Sequence, residues 1–232
     1  MADDIEVVEE GGVKIARLKG DARLPVEEML KKVGIPPAFA DRSFENFTTN
    51  SKYPSLFQAK KTVQEYAMLY PAVEGGLLLM GPTGVGKTHL AVALCKELLK
   101  KGADCLFVDF RDSLKEYTSF PNQDRREDYL FYLAGVEVLI WDDFASRPVS
   151  EWEEDFVYRL IDRRYREGKA TVLTTAHTEG SGTSLENIIG ARLRSRLYEM
   201  CKEVQIEAPD YRSKVRRLSY RAGGKFEKER ED

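Results

Sequence analysis

The segment GPTGVGKT, residues 81–88, constrains the fold more than any other feature of this chain. It matches the pattern G-x-x-x-x-G-K-[ST], and it lies between a short apolar run, LLLM at 77–80, and an amphipathic run that begins at Thr88. Glycines allow successive backbone N–H groups to turn inward around an anion, and the N-terminus of the following helix adds partial positive charge. The pattern therefore predicts a strand, a phosphate-binding loop and a helix in that order.

The residues of this loop have distinct expected roles. The Lys87 side chain can reach the β- and γ-phosphates of a nucleoside triphosphate, and the Thr88 hydroxyl can bind Mg²⁺. The predicted nucleotide contacts are the loop residues and the residue after them: Gly81, Pro82, Thr83, Gly84, Val85, Gly86, Lys87, Thr88 and His89. An ordinary glycine turn is the alternative, but it leaves the combination of strand, full motif and helix unexplained. We therefore predict ATP and Mg²⁺ as cofactors.

A second apolar run ends in two adjacent acids. The sequence VLIWDDFAS, residues 138–146, places Asp142 and Asp143 directly after large apolar residues. The end of a parallel strand beside a phosphate loop faces the ligand crevice. Asp142 is therefore expected to hold Mg²⁺, and Asp143 to polarise the attacking water, with the cation offsetting the repulsion between the two carboxylates. A strand that simply reaches the surface is the alternative, and it stays open chiefly for Asp143.

From residue 75 onward, short apolar runs alternate with amphipathic segments. The predicted strands occupy residues 77–80, 105–110, 137–141, 170–175 and 203–208. Helices are predicted at 55–70, 88–102, 129–135, 150–168 and 185–200. Nearly unbroken apolar strands that alternate with helices are typical of a parallel sheet covered on both faces. The sequence therefore predicts an α/β fold with a five-stranded parallel sheet and helices on both faces.

The helix after the acidic pair has a recognisable start. Ser150 and Glu153 have the spacing of a capping box, in which each residue's side chain accepts a hydrogen bond from the other's backbone N–H. Large apolar residues follow on one predicted face of the helix: Trp152, Phe156, Val157, Leu160 and Ile161. This spacing predicts an amphipathic helix with those residues on its apolar face.

The two ends of the chain differ from the central part. Residues 5–18 alternate around a Gly-Gly pair and predict a hairpin, and residues 24–34 predict a short helix. We divide the chain into a small N-terminal segment at 1–33 that could serve in docking, a main domain at 34–220, and a charged tail at 221–232 that is expected to be disordered.

Composition excludes several classes of protein. The formal net charge of −3 gives no overall nucleic-acid signature. The three cysteines are far apart and there are only two histidines, so a zinc site or a disulfide framework is not expected and the cytoplasm is the predicted location. No apolar run approaches the ~20 residues that a membrane-spanning helix needs.

Several segments together resemble a specific family. The phosphate loop, IWDDF, TVLTTAHT, ARLRSRLYEM and APDYR are similar to those of the AAA+ ATPases of the DnaC/DnaI helicase-loader and IstB group. GIPPAFADRSFENF resembles the segment that precedes the ATPase core in that group, so the resemblance covers residues 34–220. It implies a P-loop NTPase fold of AAA+ type without a full C-terminal helical lid. It also implies Mg²⁺-dependent ATP hydrolysis, self-association, and a replicative hexameric helicase and single-stranded DNA as partners.

The resemblance implies further roles for single residues. Arg196 matches the arginine finger that reaches the γ-phosphate bound to a neighbouring subunit, so the self-oligomer would complete the ATP site in trans. Arg212, in DYR, is a candidate for a second phosphate sensor, and a plain surface arginine is its alternative. Where family members carry a sensor asparagine this chain has Ala176, and Thr175 or His177 could substitute as the hydrogen-bond partner. This departure bears on the rate of hydrolysis more than on nucleotide binding.

Two groups of aromatic and basic residues have open interpretations. Phe44 and Phe47 resemble residues near the adenine in relatives, and buried core positions are their alternative. Arg111, Lys115 and Tyr117 follow the second strand of the main domain, in a region that can touch single-stranded DNA in loaders, where a ring could stack on a base. An ordinary amphipathic helix is the alternative there.

Four functions are compatible with these features. The leading one is an ATP-driven loader of a replicative helicase onto single-stranded DNA. The second is an IstB-like transposition ATPase that acts on duplex DNA, and the third is an ATP-bound switch with little hydrolysis, which the missing asparagine favours. A small-molecule kinase is the least favoured, because it would need an arginine-rich lid and an acceptor pocket that the sequence does not show.

Overall fold

The structure is a computed structural model that describes residues 5–10, 13–18, 30–147, 149–177 and 184–213. Two antiparallel strands, β1 (Ile5–Glu10) and β2 (Val13–Leu18), pair from Ile5 opposite Leu18 to Glu10 opposite Val13, as the hairpin prediction requires. The helix predicted at 24–34 lies mostly outside the described residues. The division into a docking segment and a main domain stays a prediction.

The centre of the main domain is a five-stranded parallel sheet. Its strands are β3 (Gly76–Met80), β4 (Cys105–Asp109), β5 (Val138–Asp142), β6 (Ala170–Thr175) and β7 (Cys201–Gln205). They lie in the order β4-β5-β6-β3-β7, and every neighbouring pair is parallel. The predicted α/β fold with five parallel strands is confirmed. In this order β6 separates β5 from β3, so the end of β6 lies between the acidic pair and the phosphate loop.

Helices cover the two faces of the sheet. They are α1 (Pro54–Leu69), α2 (Lys87–Lys100), α3 (Phe110–Ser119), α4 (Gln123–Gly135), α5 (Glu151–Arg166), α6 (Leu185–Ile189) and α7 (Ala191–Met200). Apolar side chains of α1 and α2 pack on one face, and those of α3 to α7 pack on the other. Alternate strand residues feed the two layers: Leu77 and Leu79 belong to the first, and Leu78 and Met80 to the second. Among the described residues, no helix is both long and apolar enough to cross a bilayer.

Several predicted boundaries were wrong for identifiable reasons. The polar residues before 129 are helical, because the Asn122 side chain accepts a hydrogen bond from the Arg125 N–H and starts α4 six residues early. The helix predicted at 185–200 is two helices, since Gly190 has φ of 78° and ψ of 153°. The last strand begins at Cys201, directly after α7, and Phe110 belongs to α3 rather than to β4. The prediction that a full C-terminal helical lid is missing concerns residues beyond 213. These residues, including the tail at 221–232, lie outside the described part of the chain.

The capping box of α5 is present, but one predicted core residue is not in the core. Phe156, Val157, Leu160 and Ile161 are buried, whereas Trp152 is 69% exposed. Residues on a helix are about 100° apart. The buried face of α5 also includes Glu153, one residue beyond Trp152, and this rotation leaves the tryptophan at the solvent edge.

The Glu153 carboxylate makes a testable contribution to stability. It accepts hydrogen bonds from the Ser150 N–H and hydroxyl and pairs with Arg147 at 2.5 Å, and these contacts, the Arg147 hydrogen bond first, lower its pKa to about 2. Because the folded-state pKa lies below the ordinary 4.5, the stabilisation is present above pH 4.5 and is lost as the pH falls toward 2. We expect Glu153→Gln to lower the free energy of unfolding by about 1–2 kcal/mol at pH 7 and by less than half of that at pH 3.

Urea unfolding at the two pH values measures this difference. Glu154→Gln is the matched control, since Glu154 is exposed on the same helical turn. An equal loss of stability at pH 7 and pH 3 would show that the charge of Glu153 is not what stabilises the start of α5.

Candidate functional site

The phosphate loop connects β3 to α2 at the carboxyl edge of the sheet. Gly84 has φ of 83° and Gly86 has φ of 99°, a backbone region that residues with a side chain rarely adopt. A Cβ at Gly86 would lie 2.6 Å from the Phe47 ring, and one at Gly84 would lie 1.8 Å from Asp210 Oδ1. Both glycines are thus required by backbone conformation and by close neighbours on two other segments.

Lys87 is the first residue of α2, and its ammonium turns back over the loop. Lys87 Nζ donates hydrogen bonds to the carbonyl oxygens of Gly81 at 2.7 Å and Pro82 at 2.8 Å. Burial lowers the pKa of Lys87, and the negative charges of Asp142 and Asp143 oppose that shift. The ammonium therefore lies on the loop itself, in the range of both carboxylates, where it can meet a bound phosphate.

Asp142 and Thr88 lie side by side. The Thr88 hydroxyl donates to Asp142 Oδ1 at 2.9 Å, and the Thr174 hydroxyl donates to the same oxygen at 2.6 Å. Burial raises the pKa of Asp142; the two threonine hydrogen bonds oppose the shift, and the charges of Asp143 and Asp109 add to it. A bound cation would favour the charged form of this buried carboxylate.

The chemistry of these donors fits Mg²⁺. A carboxylate and a hydroxyl oxygen are the hard ligands that this ion prefers, and Mg²⁺ commonly takes only one or two protein side chains while phosphates and water fill the other positions. The neighbouring Thr88 and Asp142 oxygens provide such a pair beside a loop built for phosphate. Their roles as magnesium ligands stay predictions.

Thr174 is a site residue that the sequence did not single out. Its hydroxyl donates to Asp142 and accepts a hydrogen bond from the Asp143 N–H at 3.0 Å, so it holds both acids at once. It is 1% exposed. The available signal was its place at the end of β6, the strand between the acidic pair and the phosphate loop. That signal becomes visible only once the strand order is known.

Asp143 faces a different direction from Asp142. Its φ is 55°, and its side chain is 45% exposed, with Oδ2 3.8 Å from Arg111 Nη2. Arg111 in turn donates from Nε to the Ser146 hydroxyl at 3.0 Å. The carboxylate is therefore open to water at the edge of the site, which is compatible with its predicted role toward a water molecule.

The two candidates for the missing sensor asparagine have different surroundings. Thr175 is buried; its carbonyl accepts a hydrogen bond from the Gly81 N–H, and its hydroxyl accepts one from the His177 N–H. His177 Nε2 lies 2.9 Å from the Ala145 carbonyl oxygen, and Ala176 is exposed. Both side chains thus have contacts within their own subunit, and a role for either as the substitute sensor stays a prediction.

A C-terminal segment lies against the phosphate loop. The Tyr211 N–H donates to the Gly84 carbonyl at 3.1 Å, and Asp210 packs on Gly84 as described above. Arg212 is exposed, and its positive charge contributes to the lowered pKa of Lys87, so the two side chains are within electrostatic range. Sequence motifs pointed to Arg212, whereas the contact of Asp210 with the loop had no sequence signal.

His89, near the start of α2, contacts the upstream segment that contains the two phenylalanines. His89 Nε2 lies 2.8 Å from the Ser43 carbonyl oxygen, the ring packs edge-on against Phe47 at 5.2 Å, and burial lowers its pKa. Phe44 and Phe47 are 5% and 6% exposed, so both occupy buried core positions, as the second of their two interpretations predicted. His89 thus ties residues 43–47 to the start of α2; its contact with a nucleotide stays a prediction.

Tyr117 on α3 and Arg196 on α7, which were predicted to contact other molecules, contact residues of their own subunit. Tyr117 is buried and stacks on Phe156 with ring centroids 4.2 Å apart, so the proposal that its ring stacks on DNA was wrong. An aromatic at that helical spacing is used for the core. Arg111 and Lys115 are exposed on the same helix. Arg196, on α7, pairs with Asp162 of α5.

The Thr174 hydroxyl gives a direct test of the acidic centre. Thr174→Val keeps the shape but removes the donor to Asp142 and the acceptor for Asp143. Partners of this kind are worth about 10–100-fold in metal affinity or activity. We expect the Mg²⁺ concentration for half-maximal ATP turnover to rise by about that factor. Thr118→Val, on the exposed side of α3, is the control; an unchanged Mg²⁺ dependence in Thr174→Val would contradict the assignment.

Comparison with known proteins agrees with this geometry. The profile of the family described as IstB-like ATP binding protein matches residues 37–219. The replicative helicase loader DnaC of Escherichia coli strain K12 is 26% identical over 195 residues, which span 82% of this chain and 76% of that protein. The insertion sequence IS21 putative ATP-binding protein of Pseudomonas aeruginosa is 28% identical over 162 residues, which span 68% of this chain and 60% of that protein.

A solved structure gives the same answer at the level of the fold. The crystal structure of the DnaC helicase loader superposes on this protein with a TM-score of 0.66 at 26% identity. The superposed region covers 74% of this chain and 99% of the DnaC chain. The family match at residues 37–219 spans all five strands of the parallel sheet, the phosphate loop, the acidic pair and the segment at 210–212. The chain is therefore a member of the IstB-like ATP-binding protein family, with an α/β P-loop fold of AAA+ type.

Proposed function

We propose that this protein is an ATP-driven loader that delivers a replicative hexameric helicase to single-stranded DNA. One observation carries the proposal: a DnaC helicase loader is similar over 82% of this chain, and 99% of a solved DnaC chain superposes on it. The family and the site support the ATP-binding part. The helicase, the DNA and the assembly into an oligomer belong to the proposal.

The residues of the site support a hydrolysis mechanism. The amides of the phosphate loop and Lys87 would bind the β- and γ-phosphates. The Thr88 hydroxyl and Asp142 would hold Mg²⁺, which when bound would supply positive charge against the phosphates. Thr174 fixes the orientation of Asp142 and of the Asp143 backbone. Asp143, open to solvent, orients the attacking water, and Arg196 of a neighbouring subunit offsets charge that develops in the transition state.

A transposition ATPase is the second candidate. The IS21 ATP-binding protein is slightly more identical, at 28%, but over a smaller share of both chains than the DnaC loader. An ATP-bound switch with little hydrolysis is a third possibility, which Ala176 in the sensor position favours. Residues 1–33 as a docking segment and the cytoplasm as location accompany the leading proposal.

Binding to a replicative helicase separates these candidates. We expect a purified hexameric helicase to retain the full chain in a pull-down with ATP and Mg²⁺, and single-stranded DNA to raise ATP turnover more than duplex DNA. Retention by a transposase of an IS21-type element instead, with stimulation by duplex DNA, would favour the second candidate. ATP turnover no higher than in a reaction without the protein, whichever nucleic acid or partner is added, would favour the ATP-bound switch.

Arg196→Ala tests completion of the ATP site between subunits. We expect this variant to bind ATP as the parent does and to lose about 10³-fold of oligomer-dependent turnover, because a finger supplied in trans contributes on that scale. Mixing it with Lys87→Ala, which keeps the finger, should restore part of the turnover. Arg192→Ala is the control on the same helix. Equal turnover for Arg196→Ala and the parent at all protein concentrations would remove Arg196 from the mechanism.

A further inference from the structure

Arg196 is held by an acid of its own subunit. Arg196 Nη2 lies 2.5 Å from Asp162 Oδ1, and the two side chains are only 17% and 14% exposed. The other Asp162 oxygen lies 2.9 Å from Arg166 Nη2, one turn further along α5. Asp162 is therefore the point at which α5 fixes the guanidinium of α7.

Two aromatic rings complete the slot around this guanidinium. Arg196 Cζ lies 4.8 Å from the ring centroid of Tyr158 and 5.9 Å from that of Tyr165, both within the range of cation–π attraction. The hydrogen bond with Tyr158 and the charge of Asp162 raise the pKa of Arg196. The cation is thus stabilised in a retracted position between α5 and α7.

Both terminal nitrogens of Arg196 are engaged or covered in this position. Nη1 is buried and has no hydrogen-bond partner among the described residues, and Nη2 faces Asp162. The contact between Nη2 and Asp162 Oδ1 is an ion pair, and Oδ1 has no hydrogen-bond partner among the described residues. A phosphate of another subunit would have to displace Asp162 to pair with Nη2, and it can reach the buried Nη1 only if the side chain leaves the slot.

We propose that Asp162 is a latch that competes with the γ-phosphate of a neighbouring subunit for Arg196. This inference rests on the proposed role of Arg196 as a finger in trans. Assembly around ATP must separate the Arg196–Asp162 pair before the finger can act, so part of the free energy of subunit association is used for that separation. The latch keeps isolated subunits from exposing an unpaired cation and makes the finger available only where a triphosphate is offered.

The concentration dependence of turnover tests the latch. We expect Asp162→Asn to reach half-maximal ATP turnover at a protein concentration about 3- to 10-fold lower than the parent, because the competing charge is gone. Assembly with the non-hydrolysable analogue AMPPCP, measured by sedimentation velocity, should shift by the same factor. Asp162→Glu, which keeps the charge, should behave more like the parent than Asp162→Asn does.

Matched variants separate this effect from a general loss of packing. Asp155→Asn removes an exposed carboxylate on the same helix, and Arg166→Gln removes the other partner of Asp162; neither should lower the half-maximal concentration. Urea unfolding of Asp162→Asn verifies that the variant is folded. The double variant Asp162→Asn/Arg196→Ala should turn over ATP no faster than Arg196→Ala alone.

The outcomes distinguish the latch from the function on which it rests. If Arg196→Ala lowers turnover but Asp162→Asn leaves the half-maximal concentration unchanged or raises it, the latch is wrong and the finger stands. If Asp162→Asn lowers ATP turnover at every protein concentration, Asp162 positions the finger rather than restraining it, and the latch is also wrong. If Arg196→Ala changes neither turnover nor assembly, the finger and the latch both fall.

Discussion

ATP binding is expected to disappear in Lys87→Ala. The Lys87 ammonium lies over the phosphate loop, bound to the Gly81 and Pro82 carbonyls, where it can meet a phosphate held by the loop. A charge-assisted contact of this kind is worth about 1.5–3 kcal/mol, and two such contacts, about 3–6 kcal/mol together, correspond to a loss of about 100-fold or more in affinity. Titration with a fluorescent ATP analogue in the presence of Mg²⁺ measures the change.

The control for this variant is Lys115→Ala, on the exposed side of α3. It removes one positive charge from the surface and leaves the loop intact, so its ATP affinity should equal that of the parent. Thermal unfolding of both variants verifies that they are folded. Affinity within about threefold of the parent in a folded Lys87→Ala variant, less than half of what a single charged contact is worth, would exclude the phosphate-loop assignment.

The largest effect on stability is expected at Arg164. Its guanidinium is fully buried on α5, and burial lowers its pKa to about 10. Its nitrogens donate hydrogen bonds to oxygens from α4, the turn after it and the start of β6: the carbonyls of Leu133, Ala134, Val136, Glu137 and Ala170 and the hydroxyl of Thr171. One side chain thus satisfies the end of a helix, the turn that follows it and the start of one strand.

Arg164→Met keeps much of the volume and removes every donor. The orphaned buried carbonyls should lower the free energy of unfolding by about 3–5 kcal/mol, a large part of the about 5–15 kcal/mol available to a domain. Urea denaturation followed by circular dichroism measures it. The control is Arg163→Met. The Arg163 side chain is exposed, pairs with Glu167 and lies over Phe131, so its loss should cost about 1 kcal/mol or less. Equal midpoints for the two variants would show that the hydrogen bonds of Arg164 do not stabilise the fold.

The sequence by itself determined the features that have a local signature. The phosphate loop, the apolar strands and the acidic pair at 142–143 are each written in neighbouring residues, because glycine conformation, strand burial and strand ends depend on short-range chemistry. The capping box at Ser150 and Glu153 was predictable for the same reason. The family resemblance was also visible in short motifs, and the family match now supports it over residues 37–219.

Only the tertiary structure decided which distant residues meet. The strand order brings Thr174 to Asp142, the C-terminal segment brings Asp210 to Gly84, and the packing of α5 on α7 brings Asp162 to Arg196. No sequence pattern of threonine, aspartate or arginine marks such contacts, because these residues also occur commonly on solvent-exposed surfaces. Their roles arise from burial and from partners far away in the chain, and a local pattern contains neither.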